Sequence, residues 1–304
     1  MTSPLASTSA PFGRVLTAMV TPFAADGSLD LDAAQKIATH LVDHGNDGIV
    51  VSGTTGESPT TTGAEDGQLL AAVLEAVGDR ASVVAGVGTN DTRHSVELAE
   101  QAARVGADGL LLVTPYYSKP PQSGIVLHTQ AVADAGGGLP IMLYDIPGRT
   151  GLQIAEETYP RLAAIEPVVA VKDAVGDLER GAWLLRETDL ALYSGDDSLN
   201  LAWLTIGAAG VVSVVGHAAG DEYRAMVEAV DAGDLATARR INLQLLPLVR
   251  ALMNHVQGAM SAKVALHLLG VLDSVAVRPP LPPVEDADIA VVREGLVAAG
   301  LLDR

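Results

Sequence analysis

Short β-branched runs recur along the chain at intervals of roughly 25 to 35 residues: Val15–Val20, Gly48–Ser52, Ser82–Val87, Gly109–Val113, Ile141–Tyr144, Val168–Lys172, Leu190–Ser194 and Gly210–Val214. Each run meets a Gly, Pro, Thr or Asp and is followed by an amphipathic helical pattern. Those patterns are Leu31–His44, Gln68–Val77, Ser95–Val105, Gly124–Ala135, Ala155–Ile165, Leu178–Glu187 and Leu199–Ile206, with one more, Asp221–Val230, after the eighth run. Strands that alternate with helices lie parallel, and eight such units close on themselves. The expectation is an α/β fold, a (β/α)8 TIM barrel with a C-terminal helical extension. An open doubly wound sheet is the competing architecture, but no GxGxxG follows the first run. Asp30 is placed as the N-cap of the first helix and Gly45 as its stop; Gly78 and Gly106 end the second and third.

The chain has 304 residues, more than the roughly 250 a barrel needs. The division expected is residues 1–233 for the barrel with the active site and 234–304 for the extension, interrupted by Arg278-Pro279-Pro280-Leu281-Pro282-Pro283. That extension is read as a cap or an oligomer surface. Only 3% of residues are aromatic against 48% hydrophobic, so Ala, Val, Leu and Gly must fill the core.

A formal net charge of −18 would repel nucleic acid and anionic membrane, and any anionic substrate must be met by a few local donors. The absence of cysteine removes disulfides and thiol chemistry. Residues Met1–Gly13 lack the basic start and apolar core of a signal peptide, and no apolar run approaches a membrane span. A cytoplasmic location is expected.

Active sites of such barrels lie at the C-terminal strand ends. There the chain places Thr21-Pro22, Gly53-Thr54-Thr55-Gly56-Glu57, Gly88-Thr89-Asn90, Thr114-Pro115-Tyr116-Tyr117, Tyr144-Asp145-Ile146-Pro147-Gly148-Arg149, Lys172-Asp173, Gly195-Asp196-Asp197 and Val212-Ser213. Hydroxyls, phenols, one Arg and one Lys converge. No metal cluster does, and no cofactor is expected.

The chain has four lysines: Lys36 in the first helix, Lys119 in a Pro-flanked loop, Lys263 in the extension, and Lys172. Only Lys172 ends a run, Val168-Val169-Ala170-Val171, that must be buried on both faces. Desolvation there would favour the neutral amine, which can attack a carbonyl and form a Schiff base. The other reading is a structural lysine paired with Asp173 or Asp196.

The Gly53-Thr54-Thr55-Gly56 loop offers amides and hydroxyls to a carboxylate, or is an ordinary βα turn. Tyr144 could pass protons above Lys172 and Tyr117 could continue the relay; either is otherwise a packed mouth aromatic. Arg149, in a mobile-looking loop, suits bidentate capture of a second carboxylate, or is simply exposed. His40 and His44 are read as partly exposed helix residues, and the role of His217 is open.

Six motifs, in order and at strand ends, resemble the dihydrodipicolinate synthase/N-acetylneuraminate lyase family of pyruvate-dependent class I aldolases. They are Gly53-Thr54-Thr55-Gly56-Glu57-Ser58, Thr114-Pro115-Tyr116-Tyr117, Tyr144 to Arg149, Val171-Lys172-Asp173, Ser194-Gly195-Asp196-Asp197 and Gly210-Val211-Val212-Ser213. The resemblance runs from about Gly13 to the last helices. It implies that Lys172 forms a Schiff base with pyruvate and that Thr55, Tyr144 and Tyr117 form a proton relay, Tyr117 reaching into a neighbouring subunit's site. It implies pyruvate-carboxylate binding at Thr54 and Thr55, L-aspartate-4-semialdehyde binding at Arg149, and substrate-site positions at Gly195 and at Val212, whose carbonyl lies near the lysine. It also implies a homo-oligomer, a dimer of dimers.

Within that family the Thr-Thr loop and Arg149 favour the synthase branch over the sialic acid lyases. Family members inhibited by lysine carry two His and a Glu where this chain has Gly63, Asp66 and His94, while Asn90 and Tyr116 are retained. Weak or absent lysine feedback is expected. Two alternatives stand beside this: an aldolase of 2-keto-3-deoxy sugar acids, which does not need Arg149, and a non-catalytic barrel that senses keto acids.

Overall fold

A computed structural model describes residues 9–303; residues 1–8, most of the stretch read as lacking a leader, lie outside the described residues. The elements in chain order are β1 Val15–Ala18, α1 Leu31–Asp43, β2 Gly48–Val51, α2 Gly63–Val77, β3 Ser82–Gly86, α3 Thr92–Val105, β4 Gly109–Val113, α4 Gln122–Ala135 and β5 Ile141–Asp145. They continue with α5 Pro147–Thr150, α6 Tyr159–Ala163, β6 Val168–Asp173, α7 Leu178–Glu187, β7 Ala191–Ser194, α8 Asn200–Ile206, β8 Gly210–Ser213, α9 Gly216–Asp231, α10 Leu235–Met253, α11 Gly258–Leu268 and α12 Asp286–Ala299. The strands pair in parallel in sequence order, and β8 returns to β1, so the sheet is a closed (β/α)8 barrel with added C-terminal helices.

Strand period sorts the side chains into two layers. Leu16, Ala18, Val50, Val84, Leu111, Met142, Tyr144, Ala170, Ala191, Tyr193 and Val212 form one buried cluster inside the barrel, with Phe12. Their neighbours of opposite parity, such as Ile49, Val83, Leu110, Leu143, Val171 and Leu192, belong to the cluster facing the helices. The interior is filled by few aromatics because small residues make room for them. Phe12 plugs the bottom against Gly109, where a Cβ would stand 2.4 Å from its ring. Tyr193 donates to the carbonyl of Gly13 at 3.0 Å, so the plug is fastened to β7.

Asp30 caps α1 by accepting from the N–H of Ala33, and Gly45, at φ +80°, follows its end. Some boundaries differ from the periodicity. Helix α2 begins at Gly63 rather than Gln68, because Thr62 and Glu65 form a reciprocal capping box ahead of the apolar positions. The stretch Ala155–Ile165 makes only a 3-10 turn and the short α6, since Pro160 has no N–H to continue a helix from Ala155. Helix α9 starts at Gly216 rather than Asp221, with Ala219 in a non-helical conformation.

Helices α10, α11 and α12 share one buried cluster with β1, β8 and α9: Val15, Val211, Tyr223, Met226, Leu245, Leu248, Val264 and Leu296 are all members. The extension therefore covers the β8–β1 side of the barrel. Among the described residues no helix is long and apolar enough to cross a membrane.

Candidate active site

Parity decides where the lysine points. Ala170 faces the barrel interior, so Lys172, two positions on, does too, at its C-terminal rim. Lys172 stands in register with Tyr144 on β5 and Tyr193 on β7. Its Nζ lies 4.2 Å from the centroid of the Tyr144 ring. Gly195 gives the lysine stem its space: a Cβ there would lie 3.0 Å from Lys172 Cγ and 2.9 Å from the carbonyl of Asp173.

Burial lowers the Lys172 amine from its ordinary 10.5 to about 7; the Asp197 charge opposes this shift and the Arg149 charge adds to it. The partners expected of a merely structural lysine are engaged elsewhere. Asp196 accepts from the N–H of Ser198, and Asp173 is bonded by Arg180. The carboxylate that does act on Lys172 is Asp197, which sequence reasoning passed over. It is buried and accepts from the hydroxyl of Ser213, the amides of Val214 (2.8 Å) and Val215 (3.1 Å), and Asn200 Nδ2 (3.0 Å). Those donors fix its charge at the β7–β8 mouth.

Burial pushes the phenol of Tyr144 up to about 12, so it is protonated and a donor at neutral pH. Thr54, Tyr144 and Arg149 line one cavity of about 160 Å³ with Gly53, Ser52 and Tyr116. Thr55 is buried beside Thr54 in the same loop, and Val212 is buried in the interior layer. Tyr117 is apart from this group: it is 87% exposed, with φ +70°.

Arg149 lies on the one-turn helix α5 rather than in a loose loop: its N–H donates to Ile146 at 3.0 Å, and Thr150 Oγ1 donates to the same carbonyl. The loop between β2 and α2 is tied to itself. The N–H of Glu57 donates to Thr54, that of Ser58 to Gly53, and the hydroxyl of Thr21 to the carbonyl of Gly56 at 2.6 Å.

Beneath Tyr144 and Lys172 lies a buried cluster that no motif revealed. Asp145 and Asp173, of opposite parity to the residues before them, point outward, where α7 supplies Arg180. Its guanidinium donates to Asp145 at 2.5 Å and to Asp173 at 2.6 Å, with all three side chains buried. Tyr159 donates to Asp145 at 3.0 Å. Two carboxylates share one cation, and burial pushes Asp145 up to about 6 even so. One side chain thus holds the residue next to each of the two mouth residues.

The structure also corrects the lysine elimination. Lys36 and Lys119 are exposed, but Lys263 is fully buried on α11 and pairs with Glu57 at 2.5 Å. His217 is structural: its Nε2 accepts from the N–H of Val20 at 3.0 Å, so Nδ1 carries the proton donated to Val214 at 2.7 Å. Burial holds it down at about 4, neutral. His40 is half-buried and His44 exposed, with rings 4.5 Å apart.

Comparison with known proteins adds to this geometry. Residues 11–298 match the model of the dihydrodipicolinate synthetase family. The chain is 60% identical to the 4-hydroxy-tetrahydrodipicolinate synthase of Kineococcus radiotolerans, over 96% of this chain and 94% of that one. It is 56% identical to 4-hydroxy-tetrahydrodipicolinate synthase 2 of Streptomyces coelicolor, over 98% and 99%. Among solved structures, it resembles the enzyme from Cyanidioschyzon merolae with lysine bound, with a TM-score of 0.93 and 44% identity over 97% of this chain and 100% of that one.

Proposed function

The chain belongs to the dihydrodipicolinate synthetase family, and we propose that it acts as a 4-hydroxy-tetrahydrodipicolinate synthase, joining pyruvate to L-aspartate-4-semialdehyde through a Schiff base on Lys172. The observation that carries the mechanism is the buried amine of Lys172 over the Tyr144 ring, held near neutrality by its surroundings.

The neutral amine attacks the ketone carbon of pyruvate, and the carbinolamine loses its oxygen as water. Tyr144 protonates that oxygen, and Thr55 and the Tyr117 of a neighbouring chain pass the proton on. Thr54 and Thr55 hold the pyruvate carboxylate, which selects the orientation in which the methyl group can lose a proton to give the enamine. The enamine carbon attacks the aldehyde of the second substrate, whose carboxylate Arg149 receives. The amino group of that substrate then adds to the iminium carbon and displaces Lys172, closing the ring and restoring the amine. One water leaves per turnover, and every proton stays on the relay or on solvent.

Gly195 leaves room for the lysine stem, and Val212, two strands away on β8, belongs to the same interior layer. The exposure of Tyr117 supports a place for it in another chain's mouth, and with it at least a dimer; the proposed assembly is a dimer of dimers, and the proposed compartment the cytoplasm. Arg149 in the same cavity as Tyr144 favours the semialdehyde over sugar acids. The test is borohydride reduction with pyruvate followed by peptide mass mapping, together with turnover of the semialdehyde and of 2-keto-3-deoxy sugar acids. An adduct on Lys172 with preference for the semialdehyde is expected; no adduct would leave only binding.

A further inference from the structure

The residue that ends the Gly53–Gly56 loop is Glu57, and its backbone is left-handed, φ +56°, ψ 32°. A side chain with a Cβ disfavours that conformation, so something must hold it. What holds it comes from the C-terminal extension. Lys263 Nζ on α11 donates to Glu57 Oε1 at 2.5 Å, and the N–H of Arg278 donates to Oε2 at 2.9 Å. Lys263 also donates to the carbonyl of Ala276 at 2.7 Å, and its Nζ lies 4.5 Å from the Phe23 ring centroid. The guanidinium of Arg278 covers the same ring at 4.2 Å and bonds Gly27, Thr60 and Glu65. Both members of the Glu57–Lys263 pair are buried, 1% and 0% exposed.

A buried ion pair is a poor source of net stability, because desolvating both charges offsets most of their attraction. What it supplies is direction: a carboxylate held on both oxygens cannot rotate. Glu57 donates its N–H to the carbonyl of Thr54, so a fixed Glu57 fixes Thr54 in turn.

We propose that Lys263 and Glu57 are positioning residues for pyruvate, through which the C-terminal extension sets the place of Thr54 and Thr55 at the carboxylate subsite. This rests on the assignment of that loop to the pyruvate carboxylate. It gives the extension a part in substrate binding as well as in covering the barrel.

The test uses the full-length chain with Lys263→Met and Glu57→Gln made separately. Pyruvate KM, semialdehyde KM, kcat, the pyruvate dependence of borohydride trapping and the melting temperature are measured for each. Lys263→Met strands a buried carboxylate, so pyruvate KM rises about tenfold or more, with kcat and semialdehyde KM within about threefold. Glu57→Gln leaves an oxygen for only one of the two donors and turns its NH2 towards the other, so its pyruvate KM also rises above that of the unmodified chain.

If Lys263→Met does not fold, the isosteric Glu57→Gln carries the test. A folded variant whose pyruvate KM stays within about twofold of the unmodified chain overturns the proposal, even if its melting temperature drops. A loss confined to kcat overturns it too. Failure of the proposed function is seen separately, before any substitution, as an unmodified chain that traps no pyruvate.

Discussion

Lys172 and Tyr144 face each other across β5 and β6 at the same register level, amine over ring at 4.2 Å. The ring is a weakly attractive surface for a cation, yet burial dominates and the amine is held near neutrality. One aromatic thus gives the lysine a non-aqueous neighbour on its face and a hydroxyl that stays protonated at its rim.

The first consequence is a pH limb. Below a pKa of about 7 the Lys172 amine is protonated and cannot attack, so trapping of pyruvate should fall about tenfold per pH unit. Above it the rate should level off, whereas an unperturbed lysine would still gain at pH 9. Borohydride trapping rates between pH 5 and pH 9 read the limb directly.

Tyr144→Phe keeps the ring beside the amine and removes the proton donor. Turnover should fall about 10²- to 10³-fold with pyruvate KM and melting temperature nearly unchanged. Stopped-flow trapping should show slow adduct formation to a normal final extent. A variant with normal kcat would remove Tyr144 from the relay.

Arg149→Ala should raise the semialdehyde KM, with a loss of about 10²-fold in kcat/KM. Pyruvate trapping at high pH should persist. Because the Arg149 charge lowers Lys172, its removal should move the acid limb upward. An unmoved limb with intact semialdehyde KM would leave Arg149 an exposed residue of α5 with no part in substrate binding.

Arg180→Met leaves Asp145 and Asp173 facing each other in a buried space without their shared cation. The cost should be about 3–5 kcal/mol of stability. Burial already holds both folded pKa values above those of the unfolded chain, Asp145 at about 6, and without the cation they would rise further; the folded state then binds more protons and stability is lost as pH rises. Urea unfolding at pH 5 and pH 8 should show the larger deficit at pH 8. An equal deficit at both would mean that lost packing, not charge, is responsible.

Lysine should inhibit weakly. Gly63 offers no side chain, Asp66 accepts from the hydroxyl of Thr61 at 2.8 Å, and the exposed His94 lies 3.4 Å from Glu97. Steady-state assays with millimolar lysine should show little change; potent inhibition would overturn this.

What the sequence made legible is what repeats or ends a strand. Short β-branched runs alternating with helical patterns located all eight strands; which of their side chains turn inward, Lys172 and Tyr144 among them, is a matter of parity that the structure shows. Arg149 was found from its motif, though not the helical turn that carries it, because Thr150 closes that turn with a local hydroxyl bond. The buried Lys263 was missed because its partner is 206 positions away, and an amine on a helix reads as solvated until that partner is known. Asp145, Asp173 and Arg180 come from three elements whose parity reads as an outward face. Only packing shows that this face is dry.

The reach of Lys263 and Arg278 back to Glu57 also bears on synthesis. The chain emerges from its N-terminus, so strands β1 to β8, with Lys172, are made before α11. The bonds that hold Glu57 span 206 and 221 positions. The barrel seam, where Val20 meets His217, needs 197. A growing chain can close its sheet and bury its lysine while the loop that seats the substrate still lacks its anchor. Competence would then arrive last, with the segment around Arg278.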